Sequence, residues 1–188
     1  MGRSRCLIYS FDLFNLIEKK QDHIIGGSTV QLYQWYLVLL ANNWEVSTFT
    51  YDKNTNGPEI HYIPHNYFNR YFKIAQFIHR QKPQFIIQRA AELDTVLIAL
   101  LAKLFGVKFV YMAASDADFS RTRTFAYYNK SSIYRKILYN KIFFLGLKFV
   151  KYFVVQNERQ FMEIQSIKKS AEVIKIDNIW QRGKINPF

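Results

Sequence analysis

The chain has 188 residues, of which 49% are apolar and 18% aromatic, with seven Gly, four Pro and one Cys; this suits one well-cored domain and excludes disordered, collagen-like and disulfide-framed classes. The net charge of +12 is lopsided: residues 1–118 carry 12 basic and 10 acidic side chains, residues 119–188 carry 14 and 4, and no acid occurs from 119 to 157. Such asymmetry points to an anionic partner (nucleic acid, an anionic bilayer or a phosphorylated substrate) or to a solvated basic face.

In chain order, residues 6–11 (CLIYSF) read as a first strand, followed by a polar loop and Gly26-Gly27-Ser28. From 29 to 42 the apolar positions fall three and four apart, as on one helix face, and Asn42-Asn43 stops that helix. Residues 45–51 and 60–63 are strands separated by the turn-forming segment DKNTNGP. An aromatic-rich helix over 66–81 is broken by Pro83, and 84–88 (QFIIQ) is a strand. Asp94 is placed to cap a helix running to Phe105, with Gly106 at its end. A strand at 107–112, an irregular stretch to 129, a helix to about Phe149, a strand at 151–156, a helix at 158–166 and a strand at 172–176 complete the chain. The alternation predicts an α/β, Rossmann-like fold: a mostly parallel sheet with helices on both faces. Residues 1–178 form the expected domain and 179–188 the start of a linker or tail.

In such a sheet ligands gather beyond the carboxyl ends of the strands, so three loops matter. Gly26, Gly27 and Ser28 allow close backbone approach and offer helix N-terminal amides to an anion or hydroxyl, or they form a plain helix entry turn. They match neither a dinucleotide-binding GxGxxG nor a P-loop. Arg89 follows an apolar strand and can pair with Glu92 or with a substrate phosphate or carboxylate. Asp116 and Asp118, two apart past a strand end, point to one side if the segment is extended; there they can accept a proton, bind sugar hydroxyls or hold a divalent cation, or else shape a turn. The four histidines, with no Cys or acid at zinc spacing, read as structural or surface residues, and Cys6 as a buried apolar position; no metal site is expected.

These loops carry a family resemblance. Ile25-Gly26-Gly27-Ser28-Thr29-Val30-Gln31, followed by Leu40-Ala41-Asn42-Asn43-Trp44-Glu45-Val46, resembles the opening of family 4 glycosyltransferases, with Trp44 in place of the usual Gly. Pro83-Gln84-Phe85-Ile86-Ile87, Ala114-Ser115-Asp116-Ala117-Asp118, Val154-Val155-Gln156-Asn157-Glu158-Arg159-Gln160 and Ile176-Asp177-Asn178 are similar to later family segments, in order. The resemblance implies the N-terminal lobe of a GT-B enzyme that transfers a sugar from a nucleotide-sugar donor to a glycan or lipid-linked acceptor. It implies substrate binding at Gly26, Gly27, Ser28, Arg89 and Glu92 and catalytic polar groups at Asp116 and Asp118, where the family often has a His. The family's C-terminal donor half has no counterpart in these residues, so the chain is expected to be inactive without a donor lobe, which a separate subunit can supply. No cofactor beyond the donor substrate is implied.

Residues 130–151 interleave Arg135, Lys136, Lys141 and Lys148 with Ile133, Ile137, Leu138, Ile142 and Leu145. This reads as an amphipathic helix that lies on an anionic membrane, or as an ordinary helix whose apolar stripe packs on the sheet. There is no secretory signal and no stretch of about 18 apolar residues, so a cytoplasmic location, with peripheral attachment to the inner membrane surface, is expected. Two other readings remain: a non-catalytic basic binding or scaffold module, for which no nucleic-acid-binding motif is found, and another sugar-nucleotide enzyme such as an epimerase.

Overall fold

The computed structural model describes residues 3–18, 27–53, 59–92, 94–119 and 133–176. Seven strands, β1 (Arg5–Tyr9), β2 (Glu45–Thr50), β3 (Ile60–Tyr62), β4 (Phe85–Arg89), β5 (Lys108–Met112), β6 (Tyr152–Val155) and β7 (Glu172–Lys175), form one sheet in the order β3-β2-β1-β4-β5-β6-β7. Every neighbouring pair is parallel. The expected α/β, Rossmann-like class is what the chain adopts. The strand order reverses direction between β1 and β4, so their carboxyl ends flank the switch-point crevice of a doubly wound sheet.

Period-two alternation sorts the core into two layers. Leu7, Tyr9, Ile86 and Phe109 face one side, where they meet Ile74 and Ile78 of α3 (Tyr67–Gln81), Ile98 and Ala102 of α4 (Thr95–Leu104), Phe143 and Leu147 of α5 (Ile133–Phe149) and Ile164 of α6 (Glu158–Ile167). Cys6, Ile8, Val46 and Ile87 face the other side, against Leu13 of α1 (Leu13–Ile17) and Leu32 and Tyr36 of α2 (Gly27–Ala41). Fully burying one such side chain contributes about 1.5–3 kcal/mol, which is why the alternation dictates register. Burial pushes the Cys6 thiol up to about 12, consistent with an inert core position.

Local signals set most element ends. Asn66 caps α3 by accepting from the Asn69 amide, and Lys82 closes it with φ 46°, just before Pro83. Asn157 caps α6 by accepting from the Gln160 amide at 2.9 Å, while the Gln160 side-chain oxygen reaches back to the Gln156 amide at 2.8 Å. Three expectations are corrected. The loop after β1 contains the short helix α1, seated by Leu13 and Phe14 in the core. Asp94 occupies the α4 cap position, but its side chain caps nothing, because it is taken by partners from other elements. Residues 116–119 coil into a 3-10 turn and are not extended, so Asp116 and Asp118 do not share a side.

Among the described side chains of α5 the buried positions are Phe143, Gly146 and Leu147, followed by Val150 just past its end, and not the stripe read from spacing; Ile137, Leu138 and Leu145 are 48–53% exposed beside exposed Arg135, Lys141 and Lys148. Gly146 sets the packing of α5 on α4: a Cβ there would lie 2.7 Å from Val96 Cα. The Lys136 side chain lies outside the described residues. No helix among the described residues is long and apolar enough to cross a membrane.

Candidate functional site at the sheet switch point

The carboxyl ends of β1, β4 and β5 bring together residues that are far apart in sequence. Arg89 ends β4 and is only 6% exposed, yet its Nε has no hydrogen-bond partner among the described residues. Burial lowers its pKa, and the charge of Asp118 opposes this. The next residue, Ala90, sits at φ 69°, a left-handed conformation that costs a non-glycine residue about 1–2 kcal/mol. A buried guanidinium whose Nε bonds nothing among the described residues, next to a strained residue at a strand end, is a combination that folding alone disfavours.

The loop that follows carries an acid cluster. Asp94 is buried; one of its oxygens accepts from the Tyr9 hydroxyl at 2.7 Å and lies 3.6 Å from Arg70, while the other accepts from the Tyr71 hydroxyl. Arg70 also donates to the Tyr51 hydroxyl at 2.6 Å. Burial raises the Tyr9 pKa, and adjacent Asp94 raises it further. Glu92 stands beside this committed carboxylate and makes no ion pair with Arg89. Burial, then the charges of Asp94 and Asp12, push Glu92 up to about 7, with Arg70 opposing. It is therefore a carboxyl able to give or take a proton near neutral pH, as a general acid or base requires.

Asp116 and Asp118 enter different networks. Asp118 is 1% exposed and accepts from the Tyr111 hydroxyl, the Ala114 amide and the Ser115 hydroxyl, at 3.1, 2.8 and 3.1 Å, which folds the β5 loop back on its strand. Asp116 is half-exposed; one oxygen accepts from Asn157 and Gln160, both at 2.9 Å, and the other lies 4.0 Å from Arg159. Those two side-chain hydrogen bonds hold its carboxyl below the usual range. The Gln156–Gln160 segment thus anchors the Asp116 loop to α6.

Gly26 lies outside the described residues. Gly27 opens α2 and is exposed, and a Cβ there would meet nothing within 4 Å, so neither packing nor backbone angle requires glycine at that position. Ser28 follows it in the first turn, half-buried. Among the described residues no group of three His, Cys, Asp or Glu is placed to hold a metal ion. Away from the rim, a groove of about 990 Å³ runs between α5 and α6, lined by Phe119, Ile137, Phe144 and Leu145 with Lys141 and Lys148.

Arg89 and Glu92 stand where the sequence puts them, just after a strand. Arg70, Tyr9 and Tyr71 were not among the expected site residues; their only sequence signal is a lone cation within an aromatic-rich helix and a tyrosine at a strand end.

No protein-family model matches the chain, and no curated protein matches it. Among solved structures it is similar to UDP-GlcNAc 2-epimerase from Methanocaldococcus jannaschii, with TM-score 0.50 and 9% sequence identity, over 93% of this chain and 45% of that one. At that identity the likeness speaks to fold alone, a Rossmann-like parallel α/β sheet. The chain spans less than half the length of that protein.

Proposed function

We propose that the chain is the acceptor-side lobe of a sugar-transferring enzyme resembling family 4 glycosyltransferases, taking a nucleotide-sugar donor and a glycan or lipid-linked acceptor. It turns over only when a donor-binding lobe covers the rim. The observation that carries this reading is Arg89, a buried guanidinium at the switch point of a parallel sheet whose Nε has no partner among the described residues. An anionic substrate group would neutralise it, as the phosphates of a nucleotide-sugar would. Gly27, with open space where a side chain would stand, and Ser28 line the same edge. Glu92 is the residue we assign to accept the acceptor hydroxyl proton; Asp116, with one oxygen exposed toward Arg159, is assigned to orient the acceptor, and Asp118 to hold the loop. The fold neighbour is by name an enzyme of a UDP-sugar, which suits the same substrate class and keeps an epimerase-like chemistry as the second reading.

The test is diphosphate binding followed by thermal unfolding. Ligand at about a hundredfold its Kd stabilises the folded chain by about 2.7 kcal/mol. Inorganic diphosphate and UDP-GlcNAc should raise the Tm of the wild type and leave that of Arg89→Met unmoved, each protein being compared with its own ligand-free Tm. Equal ligand responses from the two proteins would refute the assignment. Sugar transfer by the purified chain alone would refute the need for a second lobe.

Attachment to an anionic membrane through α5 belongs to the same proposal and is also what a non-catalytic scaffold would use. Its support is the exposed face that mixes Tyr134, Ile137, Leu138 and Leu145 with Arg135, Lys141 and Lys148. Flotation with phosphatidylglycerol vesicles should carry the chain at low salt and lose it at high salt; no binding at low salt would remove this part of the proposal.

A further inference from the structure

Helix α5 is packed unevenly. On one flank Gly146 brings it so close to α4 that a Cβ would lie 2.7 Å from Val96 Cα. On the other flank a groove of about 990 Å³ separates it from α6. Ile137, Phe144 and Leu145 make the α5 wall, and Ile167 of α6 and Phe119 of the Asp116 turn complete the apolar lining. From Ile137 to Lys148 that wall is about 16 Å long at the helical rise. Lys168, just past α6, donates to the carbonyls of Lys148 and Val150 at 2.8 and 2.7 Å, which ties the ends of the two helices together.

An apolar helix wall between two neighbours is ordinarily filled by side chains. Here Ile137 and Leu145 stay 48% and 50% exposed, so apolar surface lines the groove and the described residues do not cover it. A cavity that is mostly apolar with a few polar groups has the make-up of a small-molecule site, for which about 300–1,000 Å³ is usual. Its length suits an extended hydrocarbon chain.

Charge identifies the head of that ligand. No acid lies on α5, and its Lys141 and Lys148 line the groove with no ion-pair partner among the described residues. Lys168 adds a third ammonium where the helix ends meet. On the α6 side Glu163 and Asp116 share Arg159, at 3.3 and 4.0 Å, and Glu158 pairs with Lys175 at 3.3 Å. The balance around the groove is therefore positive. A nucleic-acid strand would answer the lysines and leave the apolar wall in water; a neutral apolar ligand would do the reverse. A single-chain lipid phosphate answers both. We propose that the α5–α6 groove is a lipid site that takes the hydrocarbon chain of a single-chain lipid phosphate, with the phosphate on Lys141 and Lys148. This goes beyond adsorption of α5 to a bilayer surface, because one lipid chain enters the protein, and it does not depend on the Arg89 reading.

The test is an NMR titration of the full labelled chain with dodecyl phosphate below its micelle concentration, beside octyl phosphate, dodecyl maltoside and inorganic phosphate. Dodecyl phosphate should shift the signals of Ile137, Phe144 and Leu145, and its binding should weaken roughly tenfold for every two methylenes removed. Replacing both lysines, Lys141→Gln with Lys148→Gln, should weaken it about tenfold and leave dodecyl maltoside unchanged. Leu145→Glu, at a half-exposed position, should abolish it. Arg89→Met should bind it like the wild type, so the groove and the diphosphate site fail or stand separately. The proposal is overturned if dodecyl phosphate leaves these signals in place, if dodecyl maltoside or inorganic phosphate binds as tightly, or if the lysine variant or Leu145→Glu binds like the wild type. It is equally overturned by another occupant: signals of Ile137 and Leu145 that move on dilution of the ligand-free chain would mark a second copy, and nuclear Overhauser contacts from Phe144 or Leu145 to residues 120–132 would mark the chain itself.

Discussion

Glu92 makes a prediction whose sign and size both follow from its surroundings. Burial and the neighbouring Asp94 and Asp12 charges raise its pKa from 4.5 to about 7 on folding. Between those values the folded chain binds more protons than the unfolded chain, so stability falls as pH rises. The contribution is fully present below pH 4.5 and is lost by the time pH passes 7. The gap corresponds to about 3 kcal/mol. Replacing Glu92 with Gln removes the titration and keeps the shape. Urea unfolding of both proteins between pH 4 and 8 should show wild type losing about 3 kcal/mol relative to Glu92→Gln across that window, with the m-value unchanged. Asp94→Asn should shrink this loss without abolishing it, because burial is the larger cause. Parallel stability curves for wild type and Glu92→Gln would show that Glu92 is already ionised and solvated, and the general-base assignment would go with it.

Other predictions test the frame around the site. Arg70→Met leaves the buried Asp94 carboxylate with only the Tyr9 and Tyr71 hydroxyls, and should cost about 3 kcal/mol, the lower end for a broken buried pair, read as a fall in urea midpoint. Tyr9→Phe removes one hydrogen bond to the same carboxylate and should cost about 1–3 kcal/mol by the same assay. Gly146→Ala places a methyl 2.7 Å from Val96 Cα, which only backbone movement relieves; overpacking of about 1–3 kcal/mol should outweigh the helix-propensity gain and lower Tm, whereas Gly27→Ala, with open space around it, should not. If Gly146→Ala melts as high as the wild type, the close approach of α4 and α5 is wrong.

Much of this protein was legible from residues close together in the chain. The alternation of Cys6, Leu7, Ile8 and Tyr9 writes a strand with two buried faces; the caps at Asn66 and Asn157 and the stop at Pro83 write helix ends; the β/α order writes a parallel sheet. Each depends on interactions within about four residues, so a sequence reading can reach it. The site was legible only as positions after strands. That Asp94 serves Arg70, Tyr9 and Tyr71 and not its own helix, and that the charge of Asp118 reaches Arg89 from the neighbouring strand's loop, depend on strand order. The stacking of Phe11 on Tyr51 and of Tyr51 on His65 is the clearest case: three rings from three loops meet because β1, β2 and β3 are neighbours in the sheet. Local physics specifies what each segment becomes. Which side chains then share a desolvated corner, and whose charges they feel there, is decided by contacts between distant parts of the chain that exist only once the sheet has closed its order.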